Sequence, residues 1–157
     1  MRVEQLMSRP VHCCRPEDTL ACAAQLMWDH DCGCVPVVAA DGTGLAGIIT
    51  DRDICMCAYF QNKPLSELRV SEAMAKQVQV CRASDSIGAA EDIMRKARVR
   101  RLPVVDQQDA LVGVISLADL AEQAGRTRTS SKPELTETEV GEVLAAVCEP
   151  VHRQVAA

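Results

Sequence analysis

The sequence predicts an α+β (α/β) fold of two similar halves, each running strand, helix, strand, strand, helix, packed about a pseudo-twofold axis and followed by a C-terminal helix. One observation is a repeated motif: Gly47-Ile48-Ile49-Thr50-Asp51-Arg52-Asp53 returns as Gly113-Val114-Ile115-Ser116-Leu117-Ala118-Asp119. A second is its frame: Met74, Val78, Asp85, Ala90, Met94, Pro103 and Val105 each follow Met7, Val11, Asp18, Ala23, Met27, Pro36 and Val38 by 67 residues, an offset that falls to 66 beyond a turn. Self-similarity at a fixed period marks an internal duplication. The third is the alternation of short apolar runs of strand length with stretches of helical periodicity.

In the first half, Val3, Leu6 and Met7 share one side of a helical turn over 3–7, which stops before Pro10. A short strand is expected at about 11–14. Asp18 is a suitable N-cap for a helix over 19–30 whose apolar face is Leu20, Ala23, Ala24, Met27 and Trp28. Gly33 is read as the breaker of that helix. Val35-Pro36-Val37-Val38 suits a buried strand with proline at its start, Asp41-Gly42-Thr43-Gly44 a turn, and Leu45 to Thr50 the returning strand. A second helix starts at Asp51 and runs to Tyr59. These elements make residues 1–60 the first repeat.

Residues 61–69, with Pro64 and a helical turn near Leu65 to Leu68, read as a linker, and 70–124 repeat the order. A half of about 55 residues is too short to cover both faces of its own sheet, so the halves are expected to pack together. Residues 125–133 read as a flexible linker. Thr136-Glu137-Thr138-Glu139 then offers a capping box for a final helix with an apolar stripe of Val140, Val143, Leu144, Val147 and Cys148.

Composition limits the partners. Of 157 residues 48% are hydrophobic, so a sizeable aliphatic core is available, while Trp28, Tyr59 and Phe60 are the sole aromatics and offer little for base stacking. The net charge of −5 supplies no broad basic footprint for nucleic acid. No apolar run approaches a membrane span and no signal-peptide core opens the chain, which points to the cytoplasm.

The duplicated pattern resembles the cystathionine-β-synthase (CBS) domain, and two in tandem resemble a Bateman module. The resemblance covers about residues 3–124 and rests on Met7 and Met74, on Val35-Pro36-Val37-Val38 and Leu102-Pro103-Val104-Val105, and on the two Gly-to-Asp motifs. In layout the chain is similar to small standalone bacterial CBS pairs, including the hypoxic response type. The resemblance implies a non-catalytic sensor of an adenine nucleotide (AMP, ADP or ATP), bound in the cleft between repeats, with no cofactor required. It also implies a homodimer and a regulated partner protein.

The motif carries chemistry of its own. A hydroxyl at a strand end and a carboxylate three residues later, in the first helical turn, lie beside free backbone N–H groups that favour an anion. A carboxylate can accept both ribose hydroxyls, and a hydroxyl with backbone amides can hold a phosphate. By resemblance Thr50 and Asp53 serve one site and Ser116 and Asp119 the other, with adenine against Val11, Val37, Val78 and Val104. Helix capping alone also accounts for these four polar residues. Arg100 and Arg101 stand where this family often reaches a phosphate, against Gly33 and Cys34 in the first half, and equally continue the basic run of Arg95, Lys96 and Arg98. This contrast predicts unequal sites.

Nine cysteines, an odd number without an export signal, argue against a disulfide framework and fit small buried hydrophobes. The alternative is a thiolate metal or redox site at Cys32 and Cys34, near His30, for which the spacing is poor. A ligand-free dimerising scaffold is the other alternative. No nucleophile stands with a His and a carboxylate at an interpretable spacing, and His152 falls in the tail, so an enzyme is not expected.

Overall fold

The computed structural model describes residues 1–42, 44–127 and 135–149. The α-helices are α1 (Leu20–Asp29), α2 (Asp51–Gln61), α3 (Val70–Ala73), α4 (Ile87–Ala97), α5 (Leu117–Thr127) and α6 (Glu137–Cys148). The strands are β1 (Cys34–Val38), β2 (Leu45–Thr50), β3 (Cys81–Arg82), β4 (Arg101–Val105) and β5 (Leu111–Ser116), with 3₁₀ turns at Val3–Gln5 and Leu65–Glu67. Helices and strands mix in the repeated order, as the α+β reading expects.

Two compact units result, and they do not follow the order of the chain. One holds Pro10–Val78 with the hairpin tip Val105–Val112; the other holds Met1–Arg9, Gln79–Val104 and the described residues from Gly113 onward. The first-repeat unit thus includes the segment that opens the second repeat, and the second-repeat unit includes the start of the chain.

In the first-repeat unit β1 and β2 form an antiparallel hairpin that pairs Cys34 with Thr50 and Val37 with Gly47, with a bulge between Val37 and Val38. The turn closes through Ala39 N–H to Gly44 and Gly42 N–H to Ala39, and Gly42 takes φ +74° there, which glycine adopts freely. Thr43 of the expected turn lies outside the described residues. The core is Cys14, Leu20, Ala23, Met27, Val35, Val37, Ile49, Ile54, Leu68 and Val70. Each fully buried aliphatic side chain contributes roughly 1.5–3 kcal/mol of burial.

The second-repeat unit has a three-stranded sheet in the order β3-β4-β5. Its buried residues Cys81, Ile87, Ala90, Met94, Leu102, Val104, Ile115 and Leu120 are the repeat counterparts of the first core, with Val3 standing where Val70 stands in the other unit. The equivalence extends to the backbone: Val3 N–H donates to Asp85 and Val70 N–H to Asp18, both at 2.9 Å.

Several local expectations need correction. Residues 11–14 form no strand: Cys14 alone pairs, in a parallel bridge with Val37, and Pro16 directly beyond removes a donor and restrains Arg15. The cap of α1 is Thr19, whose hydroxyl accepts from Cys22 N–H at 3.2 Å, while Asp18 folds back to accept from Arg15 N–H at 2.7 Å. Helix α1 ends before Gly33. Asp31 takes the left-handed conformation (φ +47°), so that Cys32 N–H reaches Met27 C=O at 3.0 Å and satisfies an end carbonyl. Arg98 (φ +55°) ends α4 in the same way, with Val99 N–H on Met94 C=O.

Residues 125–127, expected in a linker, are the last turn of α5, where the Thr127 hydroxyl donates to Gln123 C=O at 3.0 Å. The rest of that expected linker, 128–133, and His152 lie outside the described residues. Helix α6 carries the anticipated capping box at Thr136 and Glu139 and packs on α4 and α5. Its stripe is narrower than expected: Val140 and Val143 are buried, Val147 is half-buried, and Leu144 and Cys148 are exposed.

Candidate functional site

Both Gly-to-Asp motifs fold into the same strand-to-helix corner. In the first, Thr50 ends β2 and caps α2: its hydroxyl accepts from Asp53 N–H at 3.2 Å and donates to Asp53 Oδ2 at 2.7 Å. The same Oδ2 accepts Thr50 N–H at 2.9 Å. In the second, Ser116 and Asp119 reproduce these three bonds at 3.2, 2.6 and 2.7 Å. In each corner the cap therefore uses one carboxylate oxygen. The corner is tied to its hairpin by Asp51 N–H to Gly33 C=O and, equivalently, Leu117 N–H to Arg100 C=O.

The motif glycines serve packing. At Gly47 a Cβ would lie 2.7 Å from Ala75 C=O and 3.0 Å from Met74 Sδ, and at Gly113 it would lie 2.9 Å from Met7 Cγ. Met7 and Met74 thus seat on β5 and β2 because those positions lack a side chain. The residue after each methionine pairs with the same strand. Ser8 exchanges backbone bonds with Val114 (2.8 and 3.3 Å), and Ala75 with Ile48 (2.9 and 3.0 Å).

One difference between the two corners is a single oxygen atom. The Ser8 hydroxyl donates to Asp119 Oδ1 at 3.4 Å, whereas the counterpart Ala75 has no hydroxyl to offer Asp53. This pair was not foreseen from the sequence. The signal was present, since Ser8 and Ala75 are 67 residues apart, the offset that relates the methionines before them.

The other expected site residues separate by exposure. Val37 and Val104 are enclosed completely in β1 and β4 and present no surface, while Val11 and Val78 are half-buried. Arg100 is exposed and directs its guanidinium to Cys148 Sγ at 3.9 Å on α6; Arg98 beside it pairs with Glu149 at 2.7 Å. Arg101 is half-buried at the start of β4.

All nine cysteines are free thiols. Cys34 is buried and Cys32 half-buried, and among the described residues no group of three His, Cys, Asp or Glu is arranged to hold a metal ion. The rings of His12 and His30 stack with centroids 3.3 Å apart. Cys14 and Cys81, at the same repeat position, are buried, and burial pushes both thiols up to about 12. They are core residues. No described helix is long and apolar enough to cross a membrane.

The CBS domain model matches residues 3–58 and 70–125, and the chain belongs to the CBS domain family as a tandem pair. It is 36% identical over 119 residues to the CBS domain-containing protein YhcV of Bacillus subtilis, covering 76% of this chain and 82% of that one. Hypoxic response protein 1 of Mycobacterium tuberculosis is 29% identical over 146 residues, 93% of each chain. A solved structure of Hypoxic Response Protein I with two coordinated zinc ions has a TM-score of 0.69 at 30% identity, covering 78% of this chain and 98% of that one. The CBS domain pair of protein MJ0100, solved with 5′-methylthioadenosine and S-adenosyl-L-methionine, has a TM-score of 0.70 at 27% identity, covering 81% and 98%.

Proposed function

We propose that this CBS pair is a non-catalytic regulatory module that binds an adenosine-containing nucleotide of the AMP, ADP or ATP kind at its strand-to-helix corners. Asp53 and Asp119 take the ribose hydroxyls, and Thr50 and Ser116 lie toward the phosphate. The observation that carries the reading is Oδ1 of the half-buried Asp53, an oxygen that the cap leaves over and to which no hydrogen bond leads among the described residues. A cap needs one oxygen; a ribose can use the other. The adenosine ligands of the related MJ0100 pair support the same class of ligand.

Val11 and Val78 have surface to offer the base, and Arg101 a cation for phosphate. In this reading the ligand acts by its different affinity for two arrangements of the module, and the output passes to a partner protein. The exposed Trp28, Met56, Tyr59 and Phe60 on α1 and α2 support self-association as a homodimer.

Thermal-shift and calorimetric titration with AMP, ADP, ATP, S-adenosylmethionine and NAD test the proposal, because a ligand of the native state raises its stability by mass action. At least one adenosine compound should stabilise the protein, and Asp53→Ala with Asp119→Ala should abolish the effect. Absence of any shift, or a shift indifferent to both substitutions, refutes it.

A further inference from the structure

We infer that Ser8 makes the two corners chemically different, so that the Asp53 corner accepts both hydroxyls of a cis-diol while the Asp119 corner accepts one. The inference rests on the reading of these aspartates as ribose acceptors and adds to it which sugar each corner prefers.

A carboxylate presents about four lone-pair positions, two on each oxygen. Asp53 Oδ2 receives Thr50 N–H and Thr50 Oγ–H, and the two positions on Oδ1 remain. Asp119 Oδ2 receives Ser116 N–H and Ser116 Oγ–H, and Oδ1 receives the Ser8 hydroxyl, which leaves one position. A ribose brings two adjacent donors. At Asp53 both find a place; at Asp119 the second must displace Ser8.

The Ser8 hydroxyl is held where it competes. Its backbone is fixed to Val114, two residues before Ser116, by bonds in both directions, and Met7 before it is seated over Gly113. Ala75 is fixed to Ile48 in the same manner, after Met74 over Gly47, so the two corners share this backbone pairing, and at this position one carries a hydroxyl and the other a methyl. At 3.4 Å the Ser8 bond is long and yields to a strong donor, so the second sugar hydroxyl at Asp119 gains only the difference between the two bonds.

The test compares AMP with 2′-deoxy-AMP, which lacks one donor of the cis-diol, by calorimetric titration of the full chain carrying one corner at a time. With Asp119→Asn, the remaining Asp53 corner should prefer AMP about tenfold or more, the worth of one hydrogen bond to a charged acceptor. With Asp53→Asn, the Asp119 corner should prefer AMP by about threefold or less. Adding Ser8→Ala to the latter should raise its preference to that of the first corner, and adding Ala75→Ser to the former should lower it. Ser8 and Ala75 are exposed, so both changes leave the core intact. Preferences that do not respond to Ser8→Ala or Ala75→Ser, with binding still dependent on the aspartates, overturn the inference alone. Binding of neither nucleotide to the unsubstituted protein overturns the inference as stated for AMP, and the proposed function falls with it only if ADP, ATP, S-adenosylmethionine and NAD also fail to bind.

Discussion

Glu91 on α4 lies buried close to Glu139 in the first turn of α6, and its Oε1 has no hydrogen-bond partner among the described residues. The counterpart of Glu91 in the first repeat is Ala24, so this carboxyl belongs to the face that receives the extra helix. Burial pushes the Glu91 carboxyl up, Glu139, Asp92 and Glu142 push the same way, and Arg95 opposes them. Glu139 is held down by the Thr136 hydroxyl and backbone N–H.

The pH dependence has a definite sign. The folded protein holds the Glu91 proton more tightly than the unfolded chain, so its contribution is full below the ordinary glutamate value and is lost as pH rises through the raised value. Glu139 and Glu72, both lowered, act oppositely and lose their contribution as pH falls. Replacing Glu91 with Gln should therefore raise Tm more at pH 8 than at pH 4.5, by about 2–4 °C if relief is roughly 1 kcal/mol. Equal shifts at both pH values in a melting series would contradict this.

The motif glycines should differ in tolerance. A methyl at Gly47 meets the Ala75 carbonyl, which is backbone and cannot swing away, whereas at Gly113 it meets the Met7 side chain. Gly47→Ala is expected to cost about 2–4 kcal/mol and Gly113→Ala about 1–2 kcal/mol. Met7→Ala should partly rescue the second and leave the first unrescued, as read from urea midpoints.

Thiol reactivity should divide by burial. Cys14 and Cys81, raised to about 12, hold almost no thiolate at pH 8 and should resist iodoacetamide while the protein stays folded. The exposed Cys13, Cys22, Cys55 and Cys148 should be modified first. Peptide mass mapping after brief labelling distinguishes them, and early labelling of Cys14 would show that its core site opens readily.

Asp31 and Arg98 occupy left-handed turns that glycine adopts without strain. Asp31→Gly should be neutral or stabilising by up to about 1 kcal/mol, and Asp31→Val clearly destabilising. Thermal unfolding of the two variants gives the comparison; a more stable Val variant would count against the assigned turn.

Much of this was legible in the chain because duplication supplied an internal control. Thr50, Asp53, Ser116 and Asp119 stand together at their corners because hydroxyl-x-x-carboxylate is a local device, set by a few consecutive residues. The end of α1 misled because Gly33 is the usual breaker, while Asp31 can take the same conformation through its short polar side chain. The expected strand at 11–14 failed because one bridge at Cys14 suffices where prolines limit further pairing. Ser8 was missed for another reason: its partner Asp119 is 111 residues away, and local reading does not reach that far.

The pairings Ser8 with Val114 and Ala75 with Ile48 give each repeat the opening segment of the other. A single repeat cut out at 61–69 would expose the strand that its missing strap covers, and so would its sibling. Two such fragments have a reason to recombine, since each carries what the other lacks. The exchange holds both copies to one backbone plan while their side chains differ, and the single oxygen of Ser8 is one place where they do.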